Sequence, residues 1–167
     1  MLKPQDALVL LKLVVAAGAV WTYPSLAESL GMSASEVHAA VGRAKRAGLY
    51  DEHRRAPNRK ALVEFLVHGL RYVFPAERGP LTRGLPTAHA APPLNEKIQG
   101  NGEPPPVWPD AEGTVRGEEL RPLYRSVPGA ARRDPALYEL LALVDAIRSG
   151  RARERKLAVT ELEARLA

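Results

Sequence analysis

The chain contains no cysteine. Disulfides, thiolate zinc sites and cysteine nucleophiles are therefore excluded together. Aromatic residues are also scarce, 5% of 167 residues, although apolar residues as a whole reach 46%. A core of that composition is mostly aliphatic, which suits packed helices better than a sandwich or barrel, and the chain is too apolar for a disordered tail. Histidine is sparse as well. His38, His53, His68 and His89 stand too far apart for a local metal cage, and His68 reads as a buried or partnered structural residue. Long apolar runs are missing: Leu8–Val20 is interrupted by Lys12, is too short to span a bilayer, and lacks the basic start and cleavage pattern of a signal peptide. A cytoplasmic protein without membrane contact is expected. No nucleophile–base arrangement, phosphate-cradling loop or paired carboxylates appear, so neither an enzyme nor a bound cofactor or metal is expected.

What the chain has is proline and positive charge, both unevenly placed. Residues 1–74 carry ten basic and six acidic residues, and residues 113–167 carry eleven and eight. Residues 75–112 between them hold nine of the fifteen prolines, with three basic and five acidic residues. Basic ends around a mildly acidic, proline-rich middle suit a DNA-facing surface. The expected architecture is mainly α: a helical unit over 1–74, a proline-rich extended connector over 75–133, and a C-terminal helical pair over 134–167.

The first helix is expected over Pro4–Ala17, opened by its proline. Leu8, Val9, Leu10, Leu11, Leu13, Val14 and Val15 make it apolar nearly all round, so it calls for burial on more than one side, as a domain spine or a dimer seam. In the middle region, Gly79-Pro80, Leu85-Pro86, Pro92-Pro93 and Pro104-Pro105-Pro106 exclude a persistent helix. Leu70–Phe74 and Thr114–Arg116 could supply short strands. Gln99–Gly113 reads as a mobile linker with a turn at Asn101-Gly102, and residues 81–94 as a segment lying extended against the folded part. Asp134-Pro135 then caps and starts a helix through Ser149, with Leu137, Leu140, Leu141, Val144 and Ile147 at helical spacing and Gly150 just past its end. A last helix is expected over Ala152–Leu166.

The strongest local signal is Pro24–Tyr50 (PSLAESLGMSASEVHAAVGRAKRAGLY). Leu26, Ala27 and Leu30 form the apolar face of a short helix that Gly31 ends. Ser33 opens a second helix with Glu36 three residues on, the spacing of a capping box. That second helix buries Val37, Val41 and Ala44, and Leu49 closes the unit after Gly48. Its outward face holds Ser35, His38, Ala39, Gly42 and Arg46, flanked by Arg43 and Lys45. Short residues in the middle and long cations at one end let a helix enter a major groove about 12 Å wide while the cations reach phosphates.

In Leu26-Ala27, Leu30-Gly31, Ser33, Ser35, Val37, Arg43 and Gly48-Leu49 the chain resembles the winged helix-turn-helix bacterial regulators, the MarR-type among them. The resemblance covers about a quarter of the chain, and it implies that Ser33, Ser35, His38, Ala39 and Arg43 face DNA. It departs from those regulators after Tyr50. Tyr50–Pro57 offers one strand and the basic pair Arg54-Arg55 but no clear return strand, and Asn58 looks like the cap of a helix carrying Leu62, Phe65, Leu66 and Leu70. The wing is thus either very short or replaced by that helix. Arg54, Arg55, Arg59 and Lys60 would lie beside the recognition helix within phosphate reach. Residues 34–60 hold seven basic and three acidic residues, nearly the whole excess of +5.

The expected function is sequence-specific duplex DNA binding as a bacterial transcriptional regulator, with residues 34–47 in the major groove. A homodimer is expected from the apolar first helix and the leucine-rich Ala136–Ile147. The alternative is a protein-interaction adaptor or antitoxin-like component whose proline-rich middle captures a protein partner. Elsewhere, Arg148–Lys156 reads as a solvated helix end, with a second DNA contact as the alternative. Trp21 reads as core, and Trp108 as a hook docking the linker. Thr82-Arg83-Gly84 with Thr87–His89 forms either a small anion or peptide pocket or a loop satisfying its own backbone.

Overall fold

Lys3 opens the first helix, α1 (Pro4–Val15), by donating its amide to the Asp6 carboxylate at 2.9 Å. We describe the protein from a computed structural model that covers residues 1–167. Eight residues of α1 are buried, Asp6 among them, and the helix lies between α3 (Ala34–Arg46) and α7 (Pro135–Ser149). An all-round apolar helix has to be covered on several sides, and here the chain covers it itself.

Between them, Thr22 caps α2 (Tyr23–Leu30) through a reciprocal pair of bonds with Ser25. Gly31 ends α2 at φ +65°, a left-handed conformation that favours glycine. Ser33 and Glu36 then form the expected capping box at the start of α3, with bonds of 3.1 and 2.8 Å. Leu26, Ala27 and Leu30 of α2 and Val37, Ala40, Val41 and Ala44 of α3 are buried. After α3 the chain forms a hairpin of β1 (Tyr50–Asp51) and β2 (Ala56–Pro57), paired antiparallel. A return strand therefore exists, two residues long, and a helix follows it. That helix starts at Asn58, whose side chain accepts from the Ala61 amide, and runs as α4 (Arg59–Glu64), a π-helical turn (Phe65–Gly69) and α5 (Leu70–Val73). Leu70–Val73 is thus helical where a strand was possible, and His68 is exposed and has no side-chain hydrogen-bond or ion-pair partner, neither buried nor partnered.

The proline-rich middle overturns the mainly α expectation. It contains β3 (Arg78–Pro86), β4 (Pro106–Pro109) and β5 (Val115–Leu120), and the protein is a mixed α/β fold. β3 pairs antiparallel with both other strands, and β4 closes the ring by pairing parallel with β5 at Pro106–Val107. Prolines and glycines bar helix but leave extended pairing open, and short strands without apolar alternation hide from a periodicity test. Glycine is what lets so small a ring close: a Cβ on Gly84 would overlap the Trp108 carbonyl, and one on Gly117 the Pro105 carbonyl. Strand β4 falls inside the stretch expected to be a mobile linker.

Helix α6 (Val127–Arg133), α7 and α8 (Ala152–Leu166) complete the chain. Asp134 caps α7 as expected, accepting from the Leu137 amide, while Gly150 continues in extended backbone. Helices α7 and α8 contact each other, but they do not stand apart as a pair: α7 also meets α1 and α5, α8 meets α4, and α6 meets α2. One core of 37 buried residues runs from Ala7 to Leu166. No helix is long and apolar enough to cross a membrane.

Candidate nucleic-acid interface

Successive residues of an α-helix step by about 100°, and burial shows which way α3 is turned. With Val37, Ala40, Val41 and Ala44 inward, the middle of the opposite face holds Ser35, Ala39, Gly42 and Arg46. His38 and Lys45 lie along the flank towards the hairpin; Glu36 and Arg43 lie along the other. Ser33, Ser35, His38, Ala39, Lys45 and Arg46 are exposed and Gly42 partly so. The structure therefore gathers seven of the sequence-derived positions around one face: Ser33, Ser35, His38, Ala39, Gly42, Lys45 and Arg46.

Arg43 is not on that face. Its guanidinium grips Asp6 of α1 with two bonds, Nε to Oδ2 at 2.9 Å and Nη2 to Oδ1 at 2.8 Å. The two side chains are 13% and 2% exposed. Asp6 raises the Arg43 pKa by accepting these bonds, and the arginine pins α3 to α1. An acid in the first turn of an otherwise apolar helix was the available signal for this partner.

The hairpin supplies a second set of cations. Asp51 shapes the turn by accepting from the His53 and Arg54 amides, and Arg54 lies 3.7 Å from that carboxylate. Lys45 is paired with Glu52 across the α3–hairpin gap, and this pairing holds the Glu52 pKa below the usual carboxylate value. Arg55, at φ +51°, lays its guanidinium over the Trp21 ring, 4.6 Å from the centroid. Trp21 in turn donates its indole N–H to the Arg55 carbonyl at 3.3 Å. Trp21 is therefore a half-buried prop for the hairpin and not core. Tyr23 stands edge-on to it at 5.3 Å and meets the His38 ring at 4.9 Å. Tyr23, His38, Lys45, Arg46 and Arg55 line a cleft of about 580 Å³ between α3 and the hairpin. Arg59, partly buried, and exposed Lys60 follow in the first turn of α4. Four sequence-derived cations remain free of any carboxylate: Arg46, Arg55, Arg59 and Lys60.

The other flank of α3 carries residues that the sequence did not single out. Tyr124, in the loop after β5, donates its hydroxyl to Glu36 Oε1 at 2.6 Å. This bond above all, with the Ser33 amide and hydroxyl next, lowers the Glu36 pKa to about 2. Glu36 thus stays ionised through the whole working range. Nothing in the local sequence signals a partner 88 positions away.

Other sequence candidates are structural. Arg148 is not solvated. It binds Asp145 Oδ1 at 2.9 Å and donates to the Phe74 and Arg121 carbonyls. Trp108 Nε1 and Thr87 Oγ1 donate to the other oxygen of Asp145, at 2.7 and 2.8 Å. Trp108 is thus a buried hook fastening β4 to α7. Thr82 and Arg83 lie on β3, away from buried Thr87, so the two halves of the suspected pocket do not converge. A polar cavity of about 400 Å³ does lie beside the α7–α8 junction, but its arginines are matched, Arg78 with Glu118 and Arg151 with Glu103, and His89 lies 3.8 Å from Glu154. No group of three side chains capable of holding a metal ion comes together.

No family model, curated protein or solved structure matches the chain.

Proposed function

We propose that the protein binds duplex DNA as a bacterial transcriptional regulator, with α3 in the major groove. One observation carries this: the outward face of α3 is small at Ser35, Ala39 and Gly42, and free cations border it at Arg46 and Arg55. A protein-docking face would be apolar there. Thirteen residues at 1.5 Å each give a helix long enough to follow the groove floor, and guanidinium groups are suited to bidentate phosphate or guanine contact. Arg59 and Lys60 extend the basic edge. Such a role belongs in the cytoplasm. A dimer on a two-fold operator would need a surface other than α1 and the leucines of α7, because those faces are buried within one chain.

The test is retention on non-specific duplex DNA across a salt series. Affinity should fall linearly on log–log axes, and Arg46→Ala with Arg55→Ala should flatten the slope by roughly 1.8, about 0.9 per phosphate contact. No retention at low salt overturns duplex binding and leaves the helix-turn-helix as a protein-docking unit.

A further inference from the structure

We infer that the second half of the chain completes the duplex-facing surface, with Arg125 as a phosphate contact on the flank of α3 opposite the hairpin. This rests on the duplex-binding function proposed above. A helix lying in a major groove has a phosphate backbone on each side. The hairpin flank has its cation in Arg55. On the other flank Arg43 is spent on Asp6, so α2, α3 and the hairpin alone leave that side without a free long cation.

Arg125 brings a long cation to this flank, in an exposed ion pair with Glu36. Its guanidinium lies over the Tyr124 ring, 4.6 Å from the centroid, and one nitrogen comes within 3.5 Å of Glu36 Oε1 in the first turn of α3. The side chain remains 75% exposed, and its other donors are unused. Glu36 is the acidic group facing it, and that carboxylate is already engaged by the Tyr124 hydroxyl and the Ser33 amide.

The loop carrying Arg125 is held firmly in place. Leu123 and Val127 on either side are in the core, and the Val127 amide donates to the Tyr124 carbonyl at 3.0 Å. From the end of α6, Arg133 donates to the Ser29 carbonyl of α2 at 3.1 Å, fixing α6 against the helix-turn-helix. The aromatic and carboxylate contacts orient the guanidinium before any ligand arrives, which lowers the ordering cost of a phosphate contact.

The experiment repeats the salt series with the full chain carrying Arg125→Ala, Arg125→Lys, Arg46→Ala or Arg116→Ala, the last removing an exposed cation from β5. Arg125→Ala should lower the log–log slope by about 0.9 and Arg125→Lys should restore it, with thermal melts unchanged. Arg116→Ala should leave the slope as it is. An unchanged slope in Arg125→Ala beside a lowered one in Arg46→Ala overturns the Arg125 contact and leaves the α3 face standing. Equal losses in Arg125→Ala and Arg116→Ala overturn it too, since only net charge would then matter. Retention insensitive to Arg46→Ala as well removes the α3 face and the Arg125 contact together.

Discussion

Two arginines three residues apart on one helix have opposite duties. Arg46 ends in solvent, while Arg43 ends on a buried carboxylate, and a rotation of about 60° between them on the helix surface makes the difference. Arg43→Ala should therefore act on stability. It leaves Asp6 as an uncompensated charge at 2% exposure, at a cost of about 3–5 kcal/mol. Denaturant unfolding would measure this, and the DNA salt slope of whatever protein remains folded should match the parent. A variant that unfolds like the parent but has a lower slope would assign Arg43 to the proposed DNA contact instead.

Helix α3 is fixed at its start by the Ser33–Glu36 capping box, along its inner side by four buried aliphatic residues, and on one flank by Arg43. Its outer middle is left free of packing duties. Ala39 is exposed there, so Ala39→Glu should fold and melt within about 0.5 kcal/mol of the parent, as surface changes away from caps and cores usually do. It should nevertheless abolish retention on duplex DNA at moderate salt, because it sets a carboxylate where the groove floor would lie. Electrophoretic mobility shift together with a thermal melt checks both halves. Full retention by a folded Ala39→Glu protein would mean that this face does not touch DNA.

Across the whole molecule, the three-stranded ring is tied to the helices through Asp145. Its two oxygens collect Trp108 and Thr87 from the ring side and Arg148 from its own helix. Arg148 in turn reaches the ends of α5 and β5. Such a network is costly to leave half-satisfied. Asp145→Ala should destabilise the protein by about 3–5 kcal/mol, since it strands a buried guanidinium. Because the core is continuous from α1 to α8, the loss should appear as one cooperative transition, with helical circular dichroism and Trp fluorescence moving together. A first transition confined to the fluorescence of Trp108, read in a Trp21→Phe background, would show that the ring unfolds on its own.

What the sequence determined by itself is local. Gly31, the Ser33–Glu36 box, Asn58 and Asp134-Pro135 set helix ends through bonds spanning three or four residues, and the spacing of Val37, Val41 and Ala44 sets which side of α3 is buried. Those signals placed the two helices of the helix-turn-helix, the outward face of the second, and the starts of α4 and α7. Tertiary structure decided everything that depends on partners far apart in the chain. Asp6 drew Arg43 away from the outward face of α3 across 37 positions, Asp145 drew Trp108, Thr87 and Arg148 into one buried cluster, and Tyr124 and Arg125 arrived beside α3 from the other half of the chain. The ring in the proline-rich middle belongs to this second group, because strand pairing, unlike helix formation, is settled by segments that meet only after the chain has folded.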